Sequence, residues 1–175
     1  MKNTSCAFTG HRPQNFPWGR NDASDLCKRL KIALYNQIVH FANAGVTDFL
    51  SGMAEGADTW AAQSVLHLRS QSDTIKLHCI LPCKAQAAKW DSSAQKLYYS
   101  ILEQADSIVY VHQKYTSSCM LDRNKFLVNH AALLLAVYNG GQHSGTAATV
   151  RYARAQKRKI FILDPMTQIV TYDRY

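Results

Sequence analysis

Asn139-Gly140-Gly141-Gln142-His143-Ser144-Gly145-Thr146 lies between an apolar run and a helical stretch. Its glycines leave the backbone free to turn sharply and to approach a ligand. The amides that open a helix, together with the helix dipole, favour an anion, so this spacing suits the phosphate of a nucleotide-like molecule. Ser144 and Thr146 add hydroxyls that can donate to a ligand or cap the helix. A second constellation is Thr9-Gly10-His11-Arg12-Pro13, where Thr9 and Gly10 offer backbone donors and His11 and Arg12 can reach a phosphate or carboxylate. A tight turn set by Pro13, with both side chains solvated, explains the same string.

The third constellation is Ser51-Gly52-Met53-Ala54-Glu55-Gly56-Ala57-Asp58. Ser51, Gly52 and Gly56 admit close approach of a ligand, with Met53 inside the same string, while Glu55 and Asp58 can accept hydrogen bonds from ribose hydroxyls or a base. Asp58 is equally suited to cap the helix that follows. Arg123 and Asn124 form the last group: the guanidinium can grip a phosphate with two parallel bonds, or form a surface ion pair. Neither the P-loop nor the GxGxxG fingerprint is present, which counts against ATP hydrolysis and NAD-linked hydride transfer.

The elements that must position these groups alternate along the chain. Apolar runs at 6–8, 46–50, 77–81, 107–111, 133–137 and 160–163 predict six strands. Leu26, Leu30, Ala33, Leu34, Ile38 and Phe41 fall on one helical stripe within 22–43. Helical patterns follow around Ala61, Val65 and Leu68, over 85–105 as one or two helices, over 121–130 and over 146–156. Parallel strands need crossovers, and these are right-handed, so the order predicts an α/β fold: a doubly wound parallel sheet of about six strands with helices on both faces. The near-continuous apolar run of strand five suits a central position. In a 3-2-1-4-5-6 order the loops after strands one, two and five would converge at the carboxyl rim, where such sheets bind ligands.

A chain of 175 residues with 47% hydrophobic content predicts one domain with one sizeable core. No apolar stretch reaches the roughly 20 residues of a membrane helix, and the start lacks a secretory pattern, so a soluble, cytoplasmic protein is expected. Cys6, Cys27, Cys79, Cys83 and Cys119 are odd in number and scattered, which predicts reduced thiols. The histidines other than His11 read as surface or core side chains, and no metal site is expected. Tyr35, Tyr98, Tyr99 and Trp90 read as packing residues. The net charge of +8 attracts phosphorylated partners in general, and its clearest cluster, Arg151, Arg154, Lys157, Arg158 and Lys159, reads as a solvated helix end.

The four strings containing Thr9–Pro13, Ser51–Asp58, Arg123-Asn124 and Asn139–Thr146 together resemble the YpsA family of the SLOG superfamily, relatives of the DNA-processing protein DprA and of the LOG phosphoribohydrolases, over about residues 4–165. The resemblance implies a Rossmann-like sheet, a pocket for a nucleotide-derived ligand such as ADP-ribose or an NAD relative, and a link to stress or cell division in bacteria. LOG enzymes cleave an N-glycosidic bond with an arginine, which Arg123 resembles, and a glutamate just inside the helix after the glycine loop. That position falls near Thr149, and Ala147, Ala148, Thr149 and Val150 supply no carboxylate. The leading expectation is therefore a ligand-binding or sensing domain that needs no cofactor, alone or as a homo-oligomer. The alternatives are a nucleoside monophosphate hydrolase using Arg123 and Glu55, and a single-stranded DNA-binding module resting on charge and the DprA likeness.

Overall fold

The computed structural model describes residues 4–173; residues 1–3, on which the expectation about the chain's start partly rests, and 174–175 lie outside them. Strands Ser5–Gly10 (β1), Asp48–Ser51 (β2), Lys76–Leu81 (β3), Ser107–Tyr110 (β4), Leu133–Val137 (β5), Lys159–Leu163 (β6) and Val170–Asp173 (β7) form one sheet in the order β4-β3-β2-β1-β5-β6-β7. Neighbours are parallel except β6 and β7. Helices Asp25–Asn43 (α1), Ala57–Arg69 (α2), Ser92–Gln104 (α3), Cys119–His130 (α4) and Gly145–Ala155 (α5) connect them.

Right-handed crossovers stepping from β1 out to β4 put α1, α2 and α3 on one face, and the return to β5 reverses the winding and puts α4 and α5 on the other. Strand alternation divides the core in the same way. Cys6, Phe8, Phe49, Leu77, Cys79 and Val137 pack with Leu30, Leu34, Ile38 and Phe41 of α1 and Ala61 and Val65 of α2. Ala7, Leu50, Ile80, Leu134 and Ala136 pack with Leu127 of α4 and Val150 of α5 on the opposite side. All five cysteines are buried free thiols.

Two expectations are corrected. Strand four does not sit beside strand one: β4 is an outer edge beyond β3, and β5 takes the place next to β1. Burial explains the exchange, because β5 is covered along nearly its whole length whereas Ile108 and Tyr110 of β4 remain exposed. The seventh strand has no apolar run to announce it; it is a short antiparallel edge reached through a turn in which Asp164 Oδ1 accepts from the amides of Met166 and Thr167. The helix over 85–105 resolves into a turn segment followed by α3, capped by Asp91. Among the described residues no helix is long and apolar enough to cross a membrane.

Candidate functional site

Where β1 and β5 run side by side the winding reverses, and the loops that leave their carboxyl ends diverge to opposite faces of the sheet, leaving a crevice. It holds a cavity of about 320 Å³ lined by Thr9 and Gly10 at the end of β1, Arg12 just beyond it, Asp58 of α2, Arg123 and Asn124 of α4, and Ser144, Gly145 and Thr146 at the start of α5. The strings after β1, β2 and β5 thus meet at one rim, although the strand order differs from the expected one.

Gly10 is required by packing: a Cβ there would stand 2.4 Å from that of Ala57, so β1 and α2 approach each other only because position 10 has no side chain. Gly52 serves Arg123. A Cβ on Gly52 would fall 1.4 Å from Nη1 of Arg123, so the guanidinium lies directly on the glycine backbone. Arg123 is 4% exposed, its Nη1 donates to Asp58 Oδ2 at 3.4 Å, and its Nε has no partner among the described residues. Burial holds the Asp58 carboxyl above the usual carboxylate range, opposed by the charge of Arg123, the amide of Ala54 and nearby Arg12. Burial likewise lowers Arg123 from its ordinary value, opposed by Asp58. The ion pair is therefore buried, not a surface pair, and its long contact leaves donors of the guanidinium available at the cavity. Asp58 is not the helix cap either; Gly56, at φ +99°, holds that position without a side-chain bond.

The start of α5 completes the wall. Ser144 Oγ accepts from the amide of Ala147, while the amides of Gly145 and Thr146, at the first helical positions, have no acceptor inside the helix. A Cβ on Gly145 would meet nothing within 4 Å, so this helix end is open to a ligand.

Other expected site residues lie behind this wall. His11 is buried between Phe16 and Tyr138, and its Nε2 donates to Asn139 Oδ1 at 2.9 Å. The same oxygen accepts from the amide of Gly141, and Tyr138 donates to the Gly141 carbonyl at 2.6 Å, so His11 and Asn139 shape the glycine loop from beneath. Ser51 donates to the Asp58 carbonyl and accepts from the amide of Met53. Buried Gln86, unexpected from sequence, donates to the carbonyls of Gly52 and Met53. Gly56 leaves room for the His11 carbonyl, which a Cβ would approach to 2.8 Å. Gly140 faces a neighbouring, larger cavity with Asn139, and Gly141 is exposed.

Glu55 requires a correction. Both its oxygens accept from Arg20, and it lines a separate cavity with Asp91 and Trp60. It is not positioned to replace the carboxylate that α5 lacks. Thr149, near the position where LOG enzymes carry theirs, is buried and donates to the Gly145 carbonyl at 2.8 Å. Among the described residues, the one carboxylate lining the crevice is Asp58. Gln14, Asn15, Met120 and His143 line the cavity without having been expected there. Of these, His143 carries a signal in the sequence, its place inside the glycine loop. Among the described residues no cluster of His, Cys, Asp and Glu is arranged to hold a metal ion.

The fold is shared with solved proteins at low identity. The DprA protein of Helicobacter pylori, described for its single-stranded DNA binding mode, aligns with a TM-score of 0.64 at 16% identity over 93% of this chain. That of Streptococcus pneumoniae aligns at 0.59 and 14% over 93%. The chain spans 66% and 53% of these two proteins. The protein TM1055 gives 0.59 at 15%, covering 95% of this chain and 76% of that one. Among sequences, a UPF0398 protein of Bacillus pumilus is 29% identical over 142 residues, covering 80% of this chain and 75% of its own, and the UPF0398 protein YpsA of Bacillus subtilis is 26% identical over 135, covering 76% and 74%. The YpsA model, described as the YspA SLOG family, matches residues 6–172, and with nearly the whole chain matched the protein belongs to that family.

Proposed function

We propose that the crevice binds the phosphate end of a nucleotide-derived molecule, and that binding is the function. The observation that carries this reading is Arg123: a guanidinium almost wholly buried, its Nε unpartnered among the described residues, at a cavity whose opposite wall is the unblocked start of α5. A phosphate there takes the amides of Gly145 and Thr146, the hydroxyl of Thr146 and the charge of Arg123, with Arg12 at the entrance. Asp58 and Asn124 face the same space and suit sugar hydroxyls, since a carboxylate repels the phosphate itself. The hydrolase reading weakens with Glu55 engaged elsewhere. Stabilising the positive charge that develops on a sugar would fall to Asp58, which burial and its position beside Arg123 make poorly suited.

Thermal shift with ADP-ribose, NAD, AMP and ribose 5-phosphate tests the proposal. A ligand at a hundred times its Kd adds about 2.7 kcal/mol, or roughly 5–10 °C for a domain of this size. Arg123→Gln should abolish the shift. No shift from any compound of the panel, or an undiminished one in Arg123→Gln, overturns the reading.

A further inference from the structure

The second face of the glycine loop borders a groove that the phosphate site leaves unused. A cavity of about 780 Å³ opens between the flank of α5 and the β6–β7 end of the sheet. Its apolar side is formed by Tyr138, Ala147, Ile162 and Ile169, and Ile169 is 60% exposed. Its polar side carries Arg151, Arg154, Asp164 and Thr171. It meets the phosphate crevice at His143, which lines both cavities, and the backbone between them turns at Gly140 with φ +86°.

We infer that this groove is the subsite for the distal nucleoside of a pyrophosphate-linked ligand such as ADP-ribose, with the proximal phosphate in the crevice; the inference rests on the nucleotide reading above. Three features select that occupant. The crevice, at about 320 Å³, lies at the lower end of the size range of ligand sites and the groove, at about 780 Å³, in its upper part, so the two joined at His143 offer more space than a phosphorylated sugar fills. Arg151 and Arg154 are three residues apart on α5 and so share a face. Arg151 gives Nη1 to the Gln142 carbonyl and Arg154 gives Nε to Asp173, and the guanidinium groups retain further donors for a second phosphate at the junction. Beyond them the apolar side of Tyr138, Ile162 and Ile169 suits a planar base, with Asp164 and Thr171 able to hydrogen-bond its edge or the ribose.

The test is calorimetric titration with two probes, ADP-ribose and its proximal half, ribose 5-phosphate. The wild-type chain should bind ADP-ribose at least about tenfold more tightly, the gain expected from burying a base and pairing a second phosphate. Thr171→Trp fills the groove from an exposed strand position where an aromatic residue is tolerated, and should remove that advantage while leaving ribose 5-phosphate within about twofold. Arg151→Ala, on the exposed flank of α5, should do the same by removing the charge at the junction, so a poorly folding Thr171→Trp protein does not end the test. Unchanged preference for ADP-ribose in both variants overturns the inference, and so does equal loss of both ligands. Failure of the wild-type chain to bind either probe overturns the nucleotide reading itself, an outcome distinct from failure of the groove.

Discussion

A methyl group at position 52 would overlap Nη1 of Arg123, so Gly52→Ala can be accommodated only if the guanidinium leaves its place. Overpacking of a buried contact costs about 1–3 kcal/mol, and the displaced cation no longer faces the crevice. Urea unfolding should show that loss, together with loss of the ADP-ribose thermal shift. Gly145→Ala is the contrasting case: its methyl group meets open space at the first position of a helix, so stability should stay within about 0.5 kcal/mol of the parent. Equal stability of both variants would show that Gly52 is not the seat of Arg123. The sequence identified both glycines as places of close approach, but not what approaches: at position 145 the space is open, at position 52 it is already filled by a side chain 71 residues further on. The same limit explains Glu55 and Asp58. Both acids stand in one string, and the partner that draws Glu55 outward, Arg20, lies in a stretch with no pattern of its own.

At the scale of elements, three neighbouring strands are joined near their amino ends by a chain of side chains: Asp48 of β2 accepts from His78 of β3, whose other ring nitrogen meets Ser107 of β4 at 2.7 Å. Burial acts to raise the Asp48 carboxyl, but the bonds from His78 and Thr47 outweigh it and hold the group below the usual carboxylate range. Asp106, beside the amide of Leu77 and Arg69, is held low in the same manner against its burial. A carboxylate whose folded value is depressed contributes stability above its unfolded value, near 4, and that contribution is lost as pH falls through the folded value. Unfolding midpoints followed from pH 7 to 3 should therefore fall less steeply for Asp48→Asn than for the parent, and parallel curves would show that the chain of bonds adds no acid sensitivity. Nothing in the local patterns announces this arrangement, because it depends on which strands become neighbours. The alternation of strands and helices was legible, as was the central place of β5, since a run buried on both faces must be apolar throughout. The return crossover from β4 to β5 was not: the run of β4 is apolar enough for an inner strand, and only the sheet order leaves Ile108 and Tyr110 uncovered.

For the molecule as a whole, the net charge of +8 raises a single nucleic-acid strand as a competing ligand. The charge is unevenly placed. Arg151, Arg154, Arg158 and Lys159 lie along and after α5, whereas the crevice combines Arg12 and Arg123 with the opposing Asp58. A strand bound along the exposed cations would contact many phosphates and lose about 10³–10⁵ in affinity between 50 and 200 mM salt. A nucleotide such as ADP-ribose presents one phosphate to the largely buried guanidinium of Arg123, where screening by salt is weaker, and one more at the groove, so few contacts are lost to salt. Titrations of labelled oligonucleotide and of ADP-ribose across that salt range should therefore separate. Oligonucleotide binding should collapse with salt and be indifferent to Arg123→Gln, while ADP-ribose binding should weaken only a few-fold with salt and vanish in the variant. If the oligonucleotide persists at high salt and is lost in Arg123→Gln, the buried arginine serves a polynucleotide, and the crevice is the entrance to a longer binding track.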